Sequence, residues 1–368
     1  MKKIKILYIG MSSNIGGIEK YLINVYRNID KSKFDINFLS FNNEKLCFYD
    51  EIKNNIIYIT HRNKNYFKFI KELKEILRHG NYDIIHINLV EFSFFEPIIY
   101  AKKYTNAKII IHSHIAKFKL PSIKTKIINC IGKKMVMKND KYYFKAACSN
   151  LAGDYMFSDF ENKEYKVLNN GINIEEFKFD QEKRKQIREE LGIEENCILL
   201  GNIGRMVYQK NQTYLIELLD KLVHERQKDY KLLIIGKGPL RKNIVNLAKE
   251  KNVYERLVIM QDIDNVYDYM SAMDIFVLPS NFEGLAIVLV EAQTAGLKCY
   301  ASEKGISEEA NITENVIFID LEDKEKWIEQ IESANYKDRN VDKEKLKEYD
   351  VKNTVKNLEE YYEEIVKE

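Results

Sequence analysis

The chain has 368 residues, 45% hydrophobic and 31% charged, with a net charge of +2. That length suggests two domains of ordinary size, and that balance excludes a disordered chain. A charge so near zero gives no support to nucleic acid as a partner. The five cysteines, Cys47, Cys130, Cys148, Cys197 and Cys299, are scattered, odd in number and free of CxxC spacing. They fit buried thiols in a reducing cytoplasm rather than a disulfide frame or a zinc site.

The first ten residues end in an apolar run too short for a secretory signal, and no small-residue cleavage site follows. They read as a buried strand, Ile4–Ile9, entering a glycine loop. No apolar run has the length needed to span a bilayer. Gly16-Gly17 comes next, then a helix over about Ile18–Ile29. Paired glycines let backbone approach a phosphate or sugar and permit positive φ; a plain turn explains them equally well. GxGxxG is absent, and the second strand, Asp35–Leu39, ends without the acidic residue that a nicotinamide dinucleotide ribose needs. A dehydrogenase is therefore disfavoured. Ile56–Ile59 reads as a strand, Tyr66–His79 as a helix, and Asp83–Asn88 and Lys108–His112 as two further buried strands.

His112-Ser-His114 closes the last of these, and strand alternation puts both imidazoles on one side. They are either donors to a sugar hydroxyl or a leaving phosphate, or hydrogen-bonded structural residues. From Lys117 to Lys145 nine lysines and one acid, Asp140, interleave with apolar residues including Phe118, Leu120, Ile123, Ile127 and Ile131. This reads as a basic amphipathic helix, either lying on an anionic membrane surface or merely solvated. Stacking aromatics for nucleic acid are lacking.

After Asn170-Gly171 the alternation of strands and helices restarts. Cys197–Gly201, Tyr230–Ile235, Leu257–Met260, Ile275–Leu278 and Val316–Ile319 are the expected strands. Short β-rich runs between amphipathic helices imply right-handed crossovers and parallel sheets. The expected architecture is thus α/β, two doubly wound domains over 1–168 and 169–345. A terminal stretch, 346–368, would pack back on the body through an apolar stripe at Leu358–Ile365. Ligands bind at the carboxyl ends of strands in such sheets, so motifs following strands could all line one cleft.

Several motifs follow strands in this second half. Gly204-Arg205 with Lys210-Asn211 offers a guanidinium fork and an ammonium to a diphosphate, or is an ordinary surface loop. Gly236-Lys-Gly238 is a lone GxG, weak by itself, but after a strand it is expected to bind the donor by holding backbone near a base or phosphate. Asp262-Ile-Asp264 imitates a metal-binding DxD but reads as a turn. The densest signal is Ser280-Asn-Phe-Glu283-Gly-Leu-Ala-Ile-Val-Leu-Val-Glu291. Carboxylates accept paired sugar hydroxyls, and a helix N-terminus beside one favours a diphosphate. A helix from Gly284 to Glu291 would rise roughly 10 Å, about enough for a carboxylate at each end of a nucleotide diphosphate-sugar.

Together these residues resemble the retaining glycosyltransferases of family 4, of the bacterial exopolysaccharide and capsule type. The carriers are Gly16-Gly17-Ile-Glu19, His112-Ser-His114, Asn170-Gly-Ile-Asn173, Arg205, Lys210, Gly236-Lys-Gly-Pro239, and the glutamates Glu283 and Glu291. The resemblance implies the GT-B fold, two Rossmann-like domains facing an interdomain cleft, and a metal-independent transfer with retention of configuration. It implies a nucleotide diphosphate-sugar donor, UDP-linked by expectation, and a glycan or lipid-linked saccharide acceptor. By the same resemblance Arg205 and Lys210 bind the donor diphosphate, Glu291 the ribose, and Glu283 the transferred sugar, with backbone amides from Gly284 and Leu285. Gly16 and Gly17 lie near the reacting centre, and His114 rather than His112 contacts the sugar and supports the leaving group. Departures from the family pattern are Ala286 and Lys298 where proline is usual, and Gln261-Asp262 where glycine is common. The competing readings are a sugar-nucleotide epimerase of the same architecture and a non-catalytic sugar-nucleotide-binding subunit.

Overall fold

The computed structural model describes residues 2–42, 44–116, 122–226 and 228–368. The chain forms two compact units, Met1–Gly171 with Val351–Glu368, and Ile172–Asp350. The first holds a seven-stranded sheet of β1 (Ile4–Ile9), β2 (Phe34–Phe41), β3 (Ile56–Ile59), β4 (Ile84–Leu89), β5 (Lys108–Ser113), β6 (Tyr143–Ala147) and β7 (Lys166–Val167). Its order is β3-β2-β1-β4-β5-β6-β7, parallel throughout. The second holds β8 (Ile198–Ile203), β9 (Tyr230–Ile235), β10 (Leu257–Met260), β11 (Ile275–Leu278), β12 (Lys298–Ser302) and β13 (Val316–Ile319), ordered β10-β9-β8-β11-β12-β13 and again parallel. Both sheets reverse their winding beside their first strand, at β1/β4 and at β8/β11. Such a switch point leaves a crevice beyond the strand ends.

The strands are nearly continuous apolar runs because both faces are covered; β4 and β11 are buried along their whole length. Three strands escape the sequence reading: β6, β12 and the two-residue β7. β6 lies in the stretch read as a helix to Lys145, but the helix there is Ile123–Met137. Lys145 sits on β6 with its ammonium 2.6 Å from Asp140, both side chains almost fully buried. The lysine that reads as part of a solvated face is therefore a paired core charge. β12, Lys-Cys-Tyr-Ala-Ser, has too little β-branched character to declare itself. Residues 117–121 of the basic stretch, with Lys117, Phe118 and Leu120, lie outside the described residues.

The terminal helix, Val351–Lys367, belongs to the first unit. Val351, Val355, Leu358, Tyr362 and Ile365 recur at helical spacing and are buried among Ile6, Tyr8, Phe34 and Phe38. The apolar stripe thus begins seven residues before Leu358 and completes the core under β1 and β2. In the second unit, Asp274 at the foot of β11 anchors the helix Gln181–Glu190. Its carboxylate takes Arg184 at 2.6 Å, Arg188 at 3.1 Å and the Leu199 amide at 2.8 Å. A buried carboxylate holds its charge only with such a full set of partners.

Candidate active site

In the second unit the candidate residues gather at the ends of β8 and β11, the strands flanking the switch point. β8 runs into Gly204 and the exposed Arg205, and the short turn Tyr208–Lys210 follows. β11 runs into Ser280 and Glu283. Lys210 Nζ lies 2.7 Å from Glu283 Oε1, with the two side chains 17% and 8% exposed. Gln209 Nε2 donates to Glu283 Oε2 at 3.2 Å. The two loops are also tied by Asn281, whose backbone N donates to Gln209 O at 2.7 Å and whose side-chain Nδ2 donates to Tyr208 O at 2.6 Å. The Glu283 amide donates to Gly305 O at 2.7 Å. Gln209 and Gly305 escape the sequence reading: Gln209 lies inside the Arg205–Asn211 stretch without a charge to flag it, and Gly305 follows the unrecognised β12.

The helix after Glu283 is shorter than its sequence suggests, Ile287–Thr294 with Ala286 as N-cap. Gly284 and Leu285 therefore precede it on a loop, and the rise of a helix begun at Gly284 does not apply. Ala286 has no side-chain acceptor for the first amides, so the start of the helix turns on local backbone, with Leu289 N donating to Ala286 O at 2.8 Å. Glu291 is one turn into the helix and 2% exposed.

Gly236 and Gly238 are packing devices. Gly236 has φ +150°, and a Cβ there would stand 2.1 Å from Gly204 O. One on Gly238 would stand 2.4 Å from Met206 O. Met206 N donates to Lys237 O at 2.9 Å, so the two glycines seat the Arg205 loop by close backbone contact. Asp262 pairs with Lys237 at 2.9 Å, which uses one carboxylate of the DxD pattern within a turn.

In the first unit Gly16 is the N-cap of the helix Gly17–Asn28, with φ −145°. Neither glycine of the pair adopts positive φ, contrary to one reason for expecting them; Gly10 does, at +118°, where a Cβ would meet Asn88 O at 2.4 Å. Gly17 faces open space, with no atom within 4 Å of an added Cβ. Glu19 folds back on this loop, its Oε1 accepting from Ser12 N at 3.1 Å and Ser12 Oγ at 2.7 Å.

His112 and His114 lie side by side at the end of β5, ring centroids 4.0 Å apart. His114 Nε2 is 2.8 Å from Asn88 Oδ1, and Asn88 Nδ2 donates to Ile9 O at 3.2 Å. That second bond orients the amide, so Oδ1 is an acceptor and the proton of a neutral His114 is on Nε2. Burial holds His114 at about 3 and His112 well below its usual value, with His114 and His86 adding to the effect. Both rings are neutral at pH 7. His114 then offers a lone pair at Nδ1, not the proton that supporting a leaving group requires. His112 Nδ1 is 3.0 Å from His86 Nε2.

Two doubly wound parallel sheets, of seven and six strands, are the architecture of the GT-B transferases. Models of two families match the chain: glycosyltransferase family 4 over residues 15–176 and glycosyl transferases group 1 over residues 183–351. The protein belongs to the family 4 glycosyltransferases. It is 27% identical over 309 residues to the putative glycosyltransferase EpsF of Bacillus subtilis, covering 81% of this chain and 79% of that one. It is 24% identical over 310 residues to the UDP-Gal:alpha-D-GlcNAc-diphosphoundecaprenol alpha-1,3-galactosyltransferase of Escherichia coli, covering 82% and 79%. The crystal structure of Anabaena HepE in complex with UDP and glucose has the same fold, with TM-score 0.77 and 15% identity over 98% of this chain and 100% of that one. Among the described residues no helix is long and apolar enough to cross a membrane.

Proposed function

We propose that the enzyme transfers a hexose or related sugar from a UDP-linked donor to a lipid-linked saccharide, with retention of configuration. The observation that carries this reading is the Lys210–Glu283 pair at 2.7 Å beside the β8/β11 switch point. A diphosphate competes for the ammonium, and the released carboxylate accepts sugar hydroxyls. Arg205, exposed on the same loop, adds a fork of donors. Positive charge from these two side chains stabilises the departing diphosphate and takes the place of a metal ion. Glu291 holds the ribose hydroxyls, and the amides of Gly284 and Leu285 face the sugar. The donor assignment draws support from HepE, seen with UDP and glucose, and the acceptor from the diphosphoundecaprenol-linked substrate of the Escherichia coli relative.

A lipid-linked acceptor needs the enzyme at a membrane. The helix Ile123–Met137 exposes Ile123, Ile127, Ile131 and Met135 at 77%, 56%, 50% and 39%. They fall at four-residue spacing on one face, and Lys124, Lys126, Lys133 and Lys134 accompany them without an acid. An apolar stripe flanked by cations suits the interface of an anionic bilayer. Replacing Ile127 and Ile131 together by Glu is expected to weaken binding to anionic vesicles at least about tenfold without loss of fold. Unchanged vesicle binding removes the membrane assignment.

Release of UDP from a panel of UDP-sugars, with membrane extract as acceptor, tests the reaction. Acceptor-dependent release is expected. Turnover of donor without any acceptor points instead to an epimerase or hydrolase, and failure to bind millimolar UDP by titration calorimetry refutes the donor assignment.

A further inference from the structure

A chain of four buried polar groups crosses the interior of the first unit. Tyr8 Oη lies 2.7 Å from Tyr362 Oη, Tyr362 Oη 2.6 Å from His86 Nδ1, and His86 Nε2 3.0 Å from His112 Nδ1. His86 and His112 have no exposed surface. Tyr362 comes from the terminal helix, Tyr8 from β1, His86 from β4 and His112 from β5. The last sequence element thus reaches the candidate histidines through one intermediate imidazole.

The protons in this chain can run in two directions. Tyr8 donates to Tyr362, Tyr362 to His86 Nδ1, and His86 Nε2–H to His112 Nδ1; or every donor and acceptor is reversed. Each neutral imidazole carries a single proton, and burial holds His86 at about 3. In the first direction both hydroxyl protons are used, and the ends left over are the Tyr8 oxygen and a proton on His112 Nε2. In the reverse direction the ends left over are the Tyr8 proton and a bare lone pair on His112 Nε2, so each direction leaves one donor and one acceptor unmet. At 2.6 Å the contact between Tyr362 Oη and His86 Nδ1 is shorter than the roughly 2.7–3.2 Å of an N–H donor and fits a hydroxyl donating to the imidazole, so the first direction is preferred. His112 Nε2 is fully buried and has no hydrogen-bond partner among the described residues.

We propose that Tyr362 is a positioning residue that, acting through His86, fixes His112 in the tautomer protonated on Nε2. His112 then presents a donor beside His114, whose Nε2–H is spent on Asn88 and whose Nδ1 is an acceptor. The pair offers one donor and one acceptor, and His112, not His114, is the histidine able to give a hydrogen bond. The terminal helix is consequently part of the machinery as well as part of the core. The effect on turnover rests on the proposed glycosyl transfer; the tautomer does not.

Selective 15N labelling of the six histidines tests the tautomer directly, with His86→Gln and His112→Gln variants for assignment. At pH 7 the wild-type spectrum is expected to show His112 protonated at Nε2 and unprotonated at Nδ1. Tyr362→Phe is expected to lose that single tautomer, whereas Tyr8→Phe keeps it, because Tyr362 still donates to His86. In transfer assays Tyr362→Phe is expected to lower kcat at least about tenfold. UDP affinity is expected to stay within about twofold, since Lys210, Glu283 and Glu291 belong to the other unit. Tyr361→Phe, the neighbouring buried tyrosine, controls for loss of packing. A wild-type His112 protonated at Nδ1 overturns the proposal whether or not Tyr362→Phe folds. The expected tautomer with no transferase activity in any assay refutes the function and leaves the relay standing.

Discussion

The contact between Lys210 and Glu283 lends itself to a quantitative test in the ligand-free protein. At 2.7 Å and an effective dielectric of 20 the attraction is roughly 6 kcal/mol. Desolvation of two nearly buried ions offsets more than half of it, leaving a coupling of about 2–3 kcal/mol. Lys210→Met leaves the Glu283 carboxylate with the Gln209 amide but no cation, and is expected to cost about 3 kcal/mol. Glu283→Gln is milder, about 1 kcal/mol, because the lysine stem can turn its ammonium toward water. The double variant is expected to be less destabilised than the sum by the coupling. The chain has one tryptophan, Trp327, fully buried in the core of the second unit. Its fluorescence during urea unfolding therefore reports that unit alone. Additivity within about 0.5 kcal/mol refutes the pairing. Saturating UDP should raise the wild-type midpoint and leave that of Lys210→Met nearly unmoved.

Three further expectations concern local chemistry. His86 and His114 are held at about 3 and His112 well below its usual value, so the folded state keeps them neutral while the unfolded chain takes up protons below about 6.5. The stabilisation is complete above that pH and is lost as pH falls toward 3, by at most about 1.4 kcal/mol per unit for each ring; calorimetric melts should drop between pH 7 and 5, and a flat profile contradicts the burial. Gly236→Ala combines φ +150° with a 2.1 Å clash on Gly204 O and should cost about 2–4 kcal/mol by Trp327 fluorescence. Gly17→Ala meets nothing within 4 Å and should leave stability within about 0.5 kcal/mol while lowering turnover; full activity denies that substrate approaches this loop.

Much of the fold was legible because parallel strands buried on both faces are runs of Ile, Leu and Val, and Ile84–Leu89 and Tyr230–Ile235 show this plainly. β6 and β12 were not, since a lysine on β6 is neutralised by Asp140 and β12 reads as mixed small and polar residues. Candidate residues such as Lys210 and Glu283 stood out by chemical type and by following strands. Their partners did not: Gln209, Asn88 and His86 carry no motif, and their roles come from neighbours far away in sequence.

Local pattern by itself determined the α/β class, the strand ends where polar groups collect, and the residue types gathered there, because periodicity and side-chain chemistry are properties of short segments. Tertiary structure alone decided that the Glu283 helix starts at Ile287, that Gly236 and Gly238 serve backbone packing, and that Tyr362 returns to touch His86. The direction of a proton on an imidazole depends on what each nitrogen faces, and those partners here lie 26 and 276 positions apart. No local pattern carries that information; only the closed hydrogen-bonded chain does.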